Sequence, residues 1–160
     1  MAKMTIGKGV DDFISELGDL KHAAGRFSGR ALYVGAKIMA DALKAQVEAL
    51  PVRNQGHRER GRRNPTQVEK DGLIEGLGIT RKRIENGNSN ISIGFDGYNA
   101  HVTDKWPKGK PNAMIARSIN KGTSFMRRIP FKTQAVNASR AAAEEAMVEE
   151  VDKQIKQIMK

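Results

Sequence analysis

The sequence predicts an α+β fold in which a long N-terminal helix and a C-terminal helix pack on a small antiparallel sheet. Three observations predict it. Apolar residues recur at three- and four-residue steps over 10–50 and again over 131–158. The period shortens to two between these stretches, around 79–95. No internal repeat or break divides the 160 residues, so 1–160 reads as one domain. A chain of this length buries roughly two-thirds of its unfolded surface and needs no covalent staple. It has no cysteine, which removes disulfides, thiolate metal sites and cysteine nucleophiles.

Val10, Phe13, Ile14, Leu17 and Leu20 fall on one face of the first helix, with Asp11, Asp12, Glu16 and Asp19 elsewhere. Acids in a first turn suit the positive end of a helix dipole. Leu32, Gly35, Ala36, Met39, Leu43, Val47 and Leu50 continue the spacing. Gly25 to Gly29 weaken it, so two helices or one long broken helix both fit. Pro51 disfavours helical geometry at Leu50 and marks the stop.

Residues 51–65, PVRNQGHRERGRRNP, hold two bounding prolines, two glycines, five arginines and almost nothing to bury. They read as a mobile basic loop. Thr66 then caps a short helix, with Glu69 completing a capping box and Val68, Leu73, Ile74 and Leu77 as its apolar side. Gly78 is the expected end. A β-hairpin follows: Ile79 to Ile84, a turn at Asn86-Gly87, then Ile91, Ile93 and Phe95 spaced by two. From Asp96 to Pro111 the chain is loop-like, with Trp106-Pro107 inside it. Ala113 to Asn120 form a helix ended by Gly122, Thr123 to Pro130 are extended, and Phe131 opens the last helix. There Ala135, Ala138, Ala142, Val148, Val151, Ile155 and Ile158 form the expected apolar face, opposite Glu144, Glu145, Glu149 and Glu150.

Twenty-eight Lys and Arg against eighteen Asp and Glu give a net charge of +10, which favours anionic partners. Eight aromatic residues are too few for a base-stacking platform. The start lacks the apolar core of a signal peptide, and no apolar run approaches the ~20 residues of a spanning helix. A soluble protein with no membrane partner, made in a cytoplasm, is expected.

Arg53, Arg58, Arg60, Arg62 and Arg63 are the sharpest candidate contacts. Guanidinium groups pair with phosphates or carboxylates in bidentate fashion, so DNA and the acidic surface of a neighbouring subunit both fit. A plain solvated loop has the same composition. Asp96, His101 and Asp104 lie within nine residues but match no metal or catalytic spacing. Gly7-Lys8-Gly9 lacks the gap and the Lys-Ser/Thr pair of a phosphate loop. No serine sits in a nucleophile elbow. An enzyme is therefore not expected, nor a metal or cofactor. The acidic last helix and the basic segments elsewhere suit head-to-tail contacts in a ring.

One layout stands out. Val10-Asp11-Asp12-Phe13 opens a long helix, an arginine loop and a strand pair follow, and a helix runs into Asn120-Lys121-Gly122-Thr123-Ser124. Ile129-Pro130-Phe131 then leads the last helix. This resembles the tail-component family of long-tailed bacteriophages, the tail-completion or head–tail joining proteins. Gly122-Thr123 and Pro130-Phe131 match its Gly-Thr and Pro-Phe pairs. Lys121 stands where the family commonly has an acidic or aromatic residue, and Lys132-Thr133-Gln134-Ala135 replaces its common Arg-Pro-Ala. The resemblance implies a structural virion protein of tail or neck, assembled in the host cytoplasm into a homo-oligomeric ring, a hexamer. Its implied neighbours are tail-tube, tail-terminator or head-completion proteins, with a contact to DNA in the channel. A free-standing basic nucleic-acid-binding protein is the alternative.

Overall fold

The computed structural model describes residues 8–53, 61–85 and 88–158, with the backbone alone over 8–27 and at 85, 88 and 158. Helix α1 (Lys8–Glu48) is one unbroken helix of 41 residues, so Gly25 and Gly29 do not divide it. Helix α4 (Phe131–Ile158) returns alongside it over 28 residues. Between them stand α2 (Gln67–Gly76), a hairpin and α3 (Asn112–Lys121). The result is the expected mixed α+β arrangement with long first and last helices, built around two small antiparallel ladders. Among the described residues no helix is long and apolar enough to cross a membrane.

The two long helices meet where one of them has no side chain. Gly35 is buried, and a Cβ built on it would stand 2.5 Å from Met147 Sδ and 3.5 Å from the Ala143 carbonyl. Glycine weakens a helix by roughly 0.5–1 kcal/mol relative to alanine. Here it admits the Met147 thioether into the space a side chain would fill. Leu43 and Val47 of α1 join Phe131 and Ala135 of α4 in one core cluster, so the helices run antiparallel. Leu50 is buried just before Pro51, at the expected stop. Lys70 Nζ donates to the carbonyls of Glu48 at 2.6 Å and Leu50 at 3.3 Å, placing a cation on the negative end of α1.

The predicted capping box of α2 is present. Thr66 Oγ1 accepts from the Glu69 N–H at 3.2 Å, and Glu69 Oε2 accepts from the Thr66 N–H at 2.8 Å. Gly78 is not the helix end. The helix closes at Gly76, and Gly78 lies inside β1 (Leu77–Ile79), because Leu77 leaves helical geometry at ψ 122 to pair with Phe95.

The hairpin is two ladders in series. β1 pairs with β4 (Ile93–Phe95), and β2 (Arg83–Glu85) pairs with β3 (Asn88–Asn90). Ile79 faces Ile93 while Arg83 faces Asn90, so residues 80–82 stand against only 91 and 92, a β-bulge. Thr80 bridges the fault: its N–H donates to the Ser92 carbonyl at 2.8 Å, and its Oγ1 accepts from the Ser92 N–H at 2.9 Å. Ile91, expected in the strand, falls in this bulge. The expected turn at Asn86-Gly87 lies outside the described residues.

The core joins the C-terminal half of α1 to α2, β4, α3 and the start of α4. Leu73, Ile119 and Phe131 are fully buried in it. The Phe95 and Phe131 rings meet edge to face with centroids 6.0 Å apart. Along α4 the buried face differs from the expected one. It runs through Phe131, Ala135, Ser139, Ala143 and Gln154, while Ala138 and Ala142 are exposed and Val148 is 61% exposed. The close crossing at Gly35 brings the small residues Ser139 and Ala143 inward. Ser139 loses no hydrogen bond there, since its Oγ donates to the Ala135 carbonyl at 2.8 Å.

Replacing Gly35 with valine should destabilise the protein by about 1–3 kcal/mol through overpacking. The same change in a Met147→Ala background should cost measurably less, a difference that urea unfolding of the four-member mutant cycle reads directly.

Candidate interaction surface

The basic segment is tied at both ends. The Arg53 N–H donates to the Pro65 carbonyl at 2.8 Å, closing the loop at its base. Arg62 is exposed and Arg53 half-buried. Arg58 and Arg60 lie outside the described residues. Arg63, expected with them as a contact, is turned inward instead. Its guanidinium makes a bidentate pair with Glu69, Nη1 to Oε2 at 2.7 Å and Nη2 to Oε1 at 2.8 Å. The two side chains keep only 20% and 7% of their surface in solvent. The backbone joins in: the Arg63 N–H donates to the Phe125 carbonyl at 2.8 Å, and the Arg127 N–H donates to the Arg63 carbonyl at 2.9 Å.

Glu69 is thus the centre of a small network. Burial pushes its carboxyl pKa up. The hydrogen bonds from Arg63 and the Thr66 N–H, with the charges of Arg63 and Lys110, outweigh burial and hold it below the ordinary value. No spacing rule points from Arg63 to Glu69, because the pair closes across a proline and a helix start. The capping box announced the role of Glu69 but not its partner.

The connection from α3 to α4 contains all four residues that carry the resemblance. Gly122 ends α3 at φ 74, a conformation that favours glycine, and a Cβ there would meet Arg128. The Thr123 N–H donates to the Met126 carbonyl at 3.0 Å, while its Oγ1 accepts from the Met126 N–H at 2.9 Å. Pro130 precedes the helix and Phe131, fully buried, begins it. Asn120 Oδ1 of α3 accepts from the Lys132 N–H at 3.1 Å, which supplies a cap to α4 from the preceding helix. Lys132 Nζ stands 5.4 Å from the centre of the Phe95 ring, and burial pulls its pKa down.

Beside this connection is a groove of about 300 Å³. Ile115 and Met126, both buried, form its floor, and Trp106, Met114 and Phe125 its walls. Met114 is 42% and Phe125 51% exposed, a large apolar presence on the surface of a small protein. Lys105 and Lys110 rim it, and the acid in its lining, Glu69, is neutralised by Arg63. Trp106 is presented by a tight turn in which the Thr103 and Trp106 backbones exchange hydrogen bonds of 3.1 and 2.8 Å. Four separate segments build this groove, so periodicity did not reveal it. Glu144, Glu145 and Glu149 are exposed on α4.

Asp96 Oδ1 accepts from the Gly97 N–H at 2.7 Å, and His101 and Asp104 are exposed on the following loop. Among the described residues no three His, Cys, Asp or Glu side chains are placed to hold a metal ion. No family model, curated protein or solved structure matches the chain.

Glu69 with a depressed folded pKa stabilises the fold fully above the unfolded carboxylate pKa of about 4.3, and loses that contribution as pH falls through the folded value. Glu69→Gln should therefore cost about 3 kcal/mol at neutral pH, the scale of a broken buried pair. The gap from wild type should close as denaturation midpoints are taken at progressively lower pH.

Proposed function

We propose that this protein is a non-enzymatic structural subunit of a bacteriophage virion, which completes the tail or joins it to the head by assembling into a ring. The α3–α4 connection carries the reading. Its Gly122-Thr123 and Pro130-Phe131 pairs, the ground of the family resemblance, lock the junction from inside. The same junction leaves Phe125 on the surface beside Met114 and Trp106. Apolar side chains gathered on a rigid surface and rimmed by charge suit a protein–protein contact. A basic surface with an acidic helix elsewhere supplies the two unlike patches that a head-to-tail ring needs. Tail-tube, tail-terminator or head-completion proteins are the proposed neighbours, with Arg53, Arg58, Arg60 and Arg62 facing a neighbouring subunit or channel DNA.

The net charge of +10 favours a second reading, a free-standing nucleic-acid-binding protein. Light scattering and DNA titration separate the two. A ring subunit associates with itself at physiological salt and has little affinity for DNA as a monomer. A free DNA-binding protein stays monomeric and binds DNA with an affinity that falls steeply as salt rises. Replacing Arg53, Arg58, Arg60 and Arg62 with serine should leave thermal stability within about 1 kcal/mol of wild type and should weaken association. Arg63→Ser should instead unfold the subunit at lower denaturant, since it strands the Glu69 carboxylate.

A further inference from the structure

Helix α1 is longer than anything packed beside it. Met147 of α4 lies against Gly35 of α1 and stands eleven residues before the end of α4, while Gly35 stands twenty-seven residues after the start of α1. The antiparallel pair therefore leaves about sixteen residues of α1 beyond α4, an arm of about 24 Å at 1.5 Å per residue. The sequence of that arm is amphipathic: Val10, Phe13, Ile14, Leu17 and Leu20 at helical spacing, interleaved with Asp11, Asp12, Glu16 and Asp19. It is acidic in a chain that is otherwise strongly basic.

The complementary feature is at the other end of the molecule. The groove between Trp106, Met114 and Phe125 is apolar within and cationic at its rim, through Lys105 and Lys110. Its floor residues Ile115 and Met126 share the core cluster with Val47, near the C-terminal end of α1. Leu17 stands thirty residues before Val47 on the same continuous helix, about 45 Å away along the axis. The arm of an unbroken α1 cannot reach the groove of its own subunit. It can reach the groove of another.

We propose that the N-terminal arm of α1 in one copy docks into the Trp106–Met114–Phe125 groove of the next, apolar face inward, with its carboxylates against Lys105 and Lys110. This is helix-in-groove recognition between unlike surfaces of identical chains. Each copy donates an arm and receives one, so the contact repeats around a ring and closes when the rotation allows. The inference rests on the ring-forming reading and specifies which surfaces make the ring.

The absence of native cysteine makes the test direct. Leu17→Cys and Met114→Cys are prepared as single variants and together in one chain, and mildly oxidised under conditions where wild-type mass is measured in parallel. Mixing the two single variants should give a disulfide-linked dimer containing one of each. The double variant should give a ladder of linked species up to the size of the ring. Linked dimers of Leu17→Cys alone would overturn the proposal by showing that arms pair with arms. A purely intramolecular bond in the double variant would overturn it by showing that the arm returns to its own body. An associated wild type whose double variant stays unlinked would remove this contact while leaving ring assembly intact. A wild type that is monomeric at every concentration would remove both.

Discussion

The paired contact between Arg63 and Glu69 stands where three segments of the chain meet. Glu69 closes the first turn of α2 through its capping box, and its carboxylate also fixes the guanidinium above it. The Arg63 backbone is in turn bonded to Phe125 and Arg127 in the connection between α3 and α4. One carboxylate therefore ties the end of the basic segment, the start of α2 and the approach to α4 into a single unit. A buried ion pair gains little over apolar packing, but losing either partner is costly. The lining of the groove follows from this tie, because Phe125 stands where the bonded Arg63 backbone places it, with the guanidinium 5.9 Å from its ring.

Much of the fold was legible because its boundaries are marked by residues with strong local preferences. Pro51, the Thr66–Glu69 box, Gly122 and Phe131 each act within a few residues, so their effects could be read from the chain. The buried face of α4 was not legible. Alanine is frequent on several sides of that helix, and the choice between Ala138 and Ser139 is made by α1 through Gly35. The β-bulge was hidden for a related reason: a hairpin pattern predicts pairing but not a three-against-two fault within it. For the candidate surface, the arginine run was visible, whereas the inward turn of Arg63 depends on a partner in another element. Trp106, Met114 and Phe125 come from a loop, a helix and a connection, and only the folded chain gathers them.

Charge and apolarity are distributed along the length of the molecule rather than mixed evenly. In the sequence, cationic groups cluster before and after α2, in the loop before α3 and in the connection after it, while acidic residues mark the α1 arm and α4. Protein interfaces in general gain specificity and orientation from charge and binding energy from the apolar residues within. The core keeps to one end of the long helix pair, where α2, α3 and the inner ladder cover it. At the other end the backbone of α1 runs on past the end of α4.

The fault in the hairpin has a consequence for which residues point toward α1. Side chains alternate along a strand, so an odd insertion on one side exchanges the two faces beyond it. On the unbroken strand Phe95, Ile93 and Ser89 share a face, and Ser89 Oγ lies 3.5 Å from Ser28 Oγ of α1. On the interrupted strand the matching positions change from Leu77 and Ile79 to Ile84, which is 70% exposed, as its neighbours Arg81 and Arg83 are also exposed. Deleting one residue among 80–82 would remove the bulge while Arg83, still opposite Asn90, keeps its face. What the extra residue adds is contact: the Lys82 stem, inside the bulge, lies along α1 at Gly29, where a Cβ would stand 3.4 Å from its Cδ.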